Sequence, residues 1–146
     1  MDGDKALTAR LEKIRVTASH LMGIPGSAAT PKIAMVTAPV DSVALDGTRY
    51  AANEYDLAAR AISMGNCHRA FPLTSSMCLA VAARIEGTLV HECSTAAPGA
   101  DVRLGHPSGV LPLDAAVARQ GGDYVAERVT VYRTARRLME GWVRIP

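Results

Sequence analysis

Residues 74–83 read Thr-Ser-Ser-Met-Cys-Leu-Ala-Val-Ala-Ala: three small hydroxyl residues, then an unbroken apolar run from Met77 to Ala83. The run is apolar on every side. A helix of that kind is surrounded by protein rather than laid on a surface. Thr74 or Ser75 is a suitable N-cap, and Arg84, Glu86 and Gly87 mark the far end. The stretch therefore predicts a buried central helix, with Cys78 assigned to packing as a small hydrophobe. The rest of the chain is expected to enclose it.

Upstream, residues 1–22 hold an amphipathic helix from Asp4 to Met22. Leu7, Leu11, Ile14, Ala18 and Leu21 recur at helical spacing, with Lys5, Arg10, Glu12, Lys13 and Arg15 between them. Gly23, Pro25, Gly26 and Ser27 end that helix. Pro31 to Pro39 reads as a short buried strand, and Asp46-Gly47 as a turn. Asn53 or Glu54 is expected to open a second helix through Asp56, Leu57, Ala58, Ala61 and Ile62. Downstream of Gly87 the period shifts towards two. Thr88 to Glu92, Val102 to Leu104, Val110 to Leu113, Tyr124 to Tyr132 and Met139 to Ile145 read as strands separated by Gly and Pro turns. The predicted class is α+β, one domain over residues 1–146, with a mixed, curled sheet wrapped around the central helix.

Composition narrows the function. A net charge of +2 is too small to argue for nucleic acid or an anionic membrane, and 4% aromatics leave little for base stacking. No stretch reaches the ~18 apolar residues of a membrane span. Cys67, Cys78 and Cys93 form no C-x-x-C pair and fit a reducing, cytoplasmic setting.

Three places hold groups suited to anions. Thr74-Ser75-Ser76 would lie at the positive end of the central helix, where opening amides lack partners; an ordinary cap is the plainer reading. In Cys67-His68-Arg69, Arg69 offers a planar fork for a carboxylate and His68 a group that holds an oxygen or moves a proton; a solvated loop is the alternative. Gly105-His106-Pro107-Ser108-Gly109 is a tight turn presenting a His and a Ser; a turn between strands is the alternative. A Ser-His-Asp hydrolase is disfavoured, because Ser108 has no G-x-S-x-G elbow and Asp101 and Asp114 are its only speculative partners. His20, His68, His91 and His106 are scattered, and His91-Glu92-Cys93 lacks metal-ligand spacing. Arg133, Arg136 and Arg137 read as a basic patch.

Taken in order, Thr30-Pro31-Lys32-Ile33-Ala34, Ala61-Ile62-Ser63-Met64-Gly65, His68-Arg69-Ala70, Leu73-Thr74, the 105–109 turn and Arg133 to Gly141 resemble the C-terminal half of the PrpF family of isomerases. The turn and the Arg-Thr-Ala-Arg-Arg-Leu-Met-Glu-Gly ending (133–141) are the specific parts. The resemblance implies a diaminopimelate-epimerase-like fold, in which each of two similar domains wraps a sheet around a central helix. It also implies proton transfer, as double-bond or cis-trans isomerisation, on unsaturated di- and tricarboxylic acids such as 2-methylaconitate. No metal and no organic cofactor are expected. The implied substrate-binding set is His68, Arg69, Thr74, Ser75, Ser76, His106, Ser108 and Gly109. The family's proton-transferring Lys and Cys would lie in an N-terminal half outside this chain. Family members often carry Gly-Ala or Gly-Thr-Gly-type residues at the helix entry, where Ser75 and Ser76 are bulkier. The expectation is half of an isomerase partnered by an N-terminal half; a polycarboxylate-binding module and a self-pairing homodimer are the alternatives.

Overall fold

The computed structural model describes residues 4–145, so the first three residues of the predicted N-terminal span lie outside it. Helix α1 (Lys5–Leu21) is capped by Asp4, whose carboxylate accepts the Leu7 amide at 2.9 Å. Its buried residues are Leu11, Arg15 and Ser19; of the apolar set the spacing suggested, Leu11 is buried and Leu7 and Ala18 are half-buried. Arg15 is drawn in because Glu12 holds Nε and Nη2 at 2.8 and 2.7 Å while Nη1 reaches the carbonyls of Thr30 and Pro31. Ile14 and Leu21 are exposed, the latter by 84%.

Strand β1 (Ile33–Thr37) follows, half-buried rather than fully buried. Strands β2 (Ser42–Val43) and β3 (Arg49–Tyr50) form a separate hairpin around the Asp46-Gly47 turn. The helix expected from Asn53 onward is replaced by one 3-10 turn (Ala52–Glu54) and then strand β4 (Leu57–Ser63). Ala, Leu and Arg favour helix locally. Here pairing decides otherwise, because β4 has neighbours on both edges. It runs antiparallel to β1 and to β5 (Asn66–Cys67), and parallel to β6 (Val102–His106).

The crossover from β4 to β6 carries two helices. The first, α2 (Leu73–Ala82), is the predicted central helix, beginning four residues earlier than the apolar run and capped at Pro72 rather than Thr74 or Ser75. The second, α3 (Leu89–Cys93), replaces the strand expected over Thr88–Glu92. The Thr88 side chain accepts the His91 amide and starts it. Strands β7 (Gly109–Gln120) and β8 (Asp123–Val131) complete the sheet, whose order is β1-β4-β6-β7-β8 with β5 beside β4. β7 is much longer than Val110–Leu113; its Ala-rich second half pairs with β8 through Gln120↔Asp123, across the Gly121-Gly122 turn. No strand forms over Met139–Ile145. That segment finds no neighbouring strand among the described residues, and Trp142 is fully exposed.

The class is α+β, a mixed sheet curled about α2. The core joins Leu57, Ala59 and Ala61 of β4, Val102 and Leu104 of β6, and Ala80 and Ala83 at the end of α2. The wrap is one-sided. Ser76 and Ala80 are buried, but Thr74 and Cys78 are exposed, which corrects the expectation of a helix enclosed all round with Cys78 packed inside.

Asp56 pins this arrangement. Its carboxylate accepts the Arg103 main-chain amide at 2.8 Å and the Arg103 guanidinium at 2.6 and 3.0 Å, and its own amide donates to the Arg103 carbonyl at 2.8 Å. Burial works to raise the Asp56 pKa, but the Arg103 hydrogen bonds and charge outweigh it and hold the carboxyl below its ordinary value. The stabilisation is therefore complete above the unfolded carboxyl's pKa of about 4 and is lost as pH falls through the folded value. Asp56→Asn is expected to lower unfolding free energy at pH 7 by about 1–2 kcal/mol, because Arg103 is partly exposed. Urea titrations should also show a shallower acid limb for the variant; an unchanged limb would refute the pinning role.

Candidate functional site

The 105–109 turn is a two-residue hairpin between β6 and β7: His106 pairs with Gly109, and Pro107 and Ser108 form the bend. Its neighbours require glycine at both ends. A Cβ on Gly105 would lie 2.7 Å from the Tyr55 ring, and Gly109 has φ of 126° beside the Tyr50 hydroxyl. Tyr55 is itself fixed by hydrogen bonds with the Val40 main chain. The Leu45 amide donates to the Pro107 carbonyl at 2.8 Å, tying the turn to the β2–β3 hairpin.

The loop after β5 lies against this turn. The Ser108 hydroxyl donates to the Arg69 carbonyl at 2.7 Å, and the His68 amide donates to the Ala61 carbonyl at 2.9 Å, extending the β4–β5 ladder. Arg69 and Ser108 thus share one side of the domain. The Arg69 side chain is exposed, with no ion pair or hydrogen bond among the described residues. The His68 Nε2 is buried with no partner there either. Such an atom costs about 1–3 kcal/mol when left unpaired.

The helix entry adjoins the same loop. An open groove of about 480 Å³ runs between β1 and α2, lined by Lys32, Ile33, Ala61, Phe71, Thr74, Ser75, Cys78 and Leu79 among others, with Leu89 and Val90 of α3 at its side. Ala61 links groove to loop, since it lines the one and holds His68 of the other. Thr74 and Ser75 face this groove. Ser76 does not: it is 0% exposed, its hydroxyl donates to the Leu73 carbonyl at 2.6 Å and its amide to the Pro72 carbonyl at 2.9 Å. Ser76 packs the helix against the sheet and has no group left for a ligand.

Two further residues complete the geometry. Arg60, on β4, was not singled out in the sequence. Its Nη1 donates to the Ala59 carbonyl at 2.8 Å and reaches the Gly105 carbonyl at 3.4 Å. Only its position, the one charge inside Leu-Ala-Ala-Arg-Ala-Ile-Ser, signalled it. His106 accepts the Ser108 amide at Nδ1, 3.2 Å away. Burial, and secondly the Arg60 charge, push the His106 pKa below its ordinary value. A neutral His106 with Nδ1 occupied by an amide is not a general base for Ser108, whose proton points to Arg69. The triad geometry is absent. Among the described residues no three His, Cys, Asp or Glu side chains gather as a metal site. Arg133, Arg136 and Arg137 are exposed and irregular, and Arg137 pairs with Glu140 at 2.8 Å.

A family model described as PrpF protein matches residues 1–146. The chain is 36% identical to a 2-methyl-aconitate isomerase of Shewanella oneidensis, over 100% of this chain and 38% of that protein. It is 42% identical to a 2-methyl-aconitate isomerase of Cupriavidus necator, over 80% of this chain and 30% of that one. A 3-methylitaconate isomerase of Eubacterium barkeri is 35% identical over 99% of this chain and 40% of its own length. The crystal structure of a methylitaconate-delta-isomerase superposes with a TM-score of 0.82 at 34% identity, covering 97% of this chain and 38% of that one. The chain thus spans 30–40% of the length of these relatives.

The lowered His106 pKa has a measurable sign. Below the ordinary value of 6.5 the unfolded chain takes up a proton that folded His106 resists, so stability falls with pH from that point until the folded value is reached. Urea unfolding at pH 7.5 and 5.5 should show a larger loss for the native chain than for His106→Gln. Equal losses would mean that the imidazole is not held neutral.

Proposed function

The chain belongs to the PrpF family, and from that premise we propose that it is the polycarboxylate-anchoring part of a cofactor-independent isomerase acting on unsaturated di- and tricarboxylic acids such as 2-methylaconitate. The observation that carries this reading is the hydrogen bond from Ser108 to the Arg69 carbonyl, which holds the main chain of an exposed, cationic residue against the turn that carries His106. Arg69 supplies a fork matched to a carboxylate. His68 and His106 supply single polar contacts, and the groove behind Thr74 and Ser75 takes the hydrocarbon part of the ligand.

The chemistry is a shift of one proton. A base removes a hydrogen from carbon conjugated to a carboxylate, the C–H electrons enter an enolate-like system, and an acid returns a proton at another carbon as the double bond moves. Negative charge grows on the anchored carboxylate, where fixed donors stabilise it most. We assign the base and acid to an N-terminal portion outside this chain. The length of the relatives supports this, as do the uncovered apolar side chains of Ile14, Leu21, Leu138, Met139 and Trp142, which suit burial against another portion of polypeptide. A cytoplasmic setting is taken from cysteines that form no disulfide among the described residues, Cys67, Cys78 and Cys93; no described helix is long and apolar enough to cross a membrane.

The test uses cis-aconitate and 2-methylaconitate in D2O. The chain alone is expected to bind but not exchange substrate protons, and exchange is expected once the complementary portion of a relative such as the Shewanella oneidensis protein is added. Arg69→Ala should weaken binding about tenfold or more, the loss of a charge-assisted pair. Absence of binding would sink the polycarboxylate reading. Deuterium incorporation by the chain alone would sink the divided site and favour self-pairing, which sedimentation would reveal.

A further inference from the structure

We propose that Ser108 is the positioning residue that locks the two ligand-facing loops together, its amide setting the orientation and tautomer of His106 and its hydroxyl setting the main chain of Arg69. The ligand class rests on the reading above; the lock itself rests on hydrogen-bond arithmetic. A serine hydroxyl has one proton. That proton is used on the Arg69 carbonyl at 2.7 Å, across 39 residues of sequence. With its proton engaged, Ser108 presents only lone pairs, and a ligand carboxylate has no proton to offer them. Ser108 therefore acts through its neighbours rather than on the ligand.

The amide side is equally constrained. His106 Nδ1 accepts the Ser108 N–H at 3.2 Å. A neutral imidazole carries one N–H, so the proton must sit on Nε2, directed away from the turn. One residue in a two-residue bend thus fixes which nitrogen of His106 donates, and also where the Arg69 backbone lies.

The turn is the stiff partner in this lock. Leu45 holds the Pro107 carbonyl at 2.8 Å, Arg60 approaches the Gly105 carbonyl at 3.4 Å, and Tyr55 packs against Gly105. The loop holding Arg69 has main-chain attachment through His68 to Ala61, then passes Arg69 and Ala70 in the open before Phe71 is buried. Ser108 is thus the brace at the point where that loop is least supported. Holding a donor in place before the ligand arrives lowers the ordering cost of binding.

The test uses the 146-residue chain, labelled with 15N and 13C, and four variants. In the native chain, His106 ring nitrogens should report an unprotonated Nδ1 and a protonated Nε2. Ser108→Ala should shift the Arg69 carbonyl carbon, and Ser108→Thr, which keeps an Oγ donor, should restore it. With cis-aconitate as probe, Ser108→Ala should weaken binding roughly three- to tenfold. Ser108→Ala combined with Arg69→Ala should be no weaker than Arg69→Ala alone, because the serine acts through that residue. Multiplying losses would instead make Ser108 a direct contact and overturn the lock, as would the opposite tautomer or an unmoved Arg69 carbonyl. If cis-aconitate fails to bind the native chain, the ligand reading falls, while the two ligand-free spectra still decide the lock.

Discussion

The parallel pairing of β4 with β6 rests on only two registered positions, Leu57↔Leu104 and Ala58↔Gly105, and the rest of the architecture depends on it. A slip by one residue would turn Leu104 out of the core and bring a side chain in place of Gly105 against the Tyr55 ring. Two pairs alone would tolerate such a slip. Asp56 prevents it by accepting both the main chain and the guanidinium of Arg103. Its own carbonyl accepts the Thr95 amide, so the return from α3 is fastened to the same point. Register and crossover are thus fixed at one buried carboxylate.

From that register the site follows. β4 presents Ala59 and Ala61 inward, and α2 answers with Ala80 and Ala83. Small residues on both elements let the helix sit close to the sheet, so the groove beside its first turn reaches Ala61, whose carbonyl holds His68. The parallel course of β6 then delivers the 105–109 turn to the same edge of β4. The nearby Arg60 reinforces a neutral His106. A neutral imidazole donates one hydrogen bond without adding charge, so on the proposed reading the preference for an anion would come from cationic residues such as Arg69.

What the sequence conveyed depended on whether the local signal and the tertiary environment agreed. They agree at α1 over Lys5–Leu21, at β8, where Val125, Val129 and Val131 alternate with polar residues, and at the Gly-His-Pro-Ser-Gly bend, where two glycines and a proline leave few backbone solutions. They conflict at β4 and the second half of β7, where alanine favours helix but edge-to-edge pairing rewards strand. Thr88–Glu92 carries strand-favouring residues, but the Thr88 cap and the turn at Gly87 make a short helix fit. Of the site, His68, Arg69 and Ser108 could be placed together only through family resemblance, because a contact spanning 39 residues leaves no mark in local periodicity. Ser76 looked like its hydroxyl neighbours, and only its phase on the helix turns it inward.

The distribution of support in this domain separates recognition from chemistry. The main chain beneath the proposed anchors is held from within the chain: His68 by Ala61, Arg69 by Ser108, and the turn by Leu45 and Tyr55, while the His106 ring takes the Ser108 amide. None of these bonds requires a second polypeptide. Proton transfer at carbon has a different requirement, since it needs a base and acid held against the substrate and water excluded from an enolate-like intermediate. A sheet that wraps only one side of α2 leaves the groove open, with Cys78 and Leu89 at its margin. On the proposed reading the groove needs closing from outside this sheet, and the uncovered apolar residues of α1 and of 138–145 are where a closing partner would gain burial.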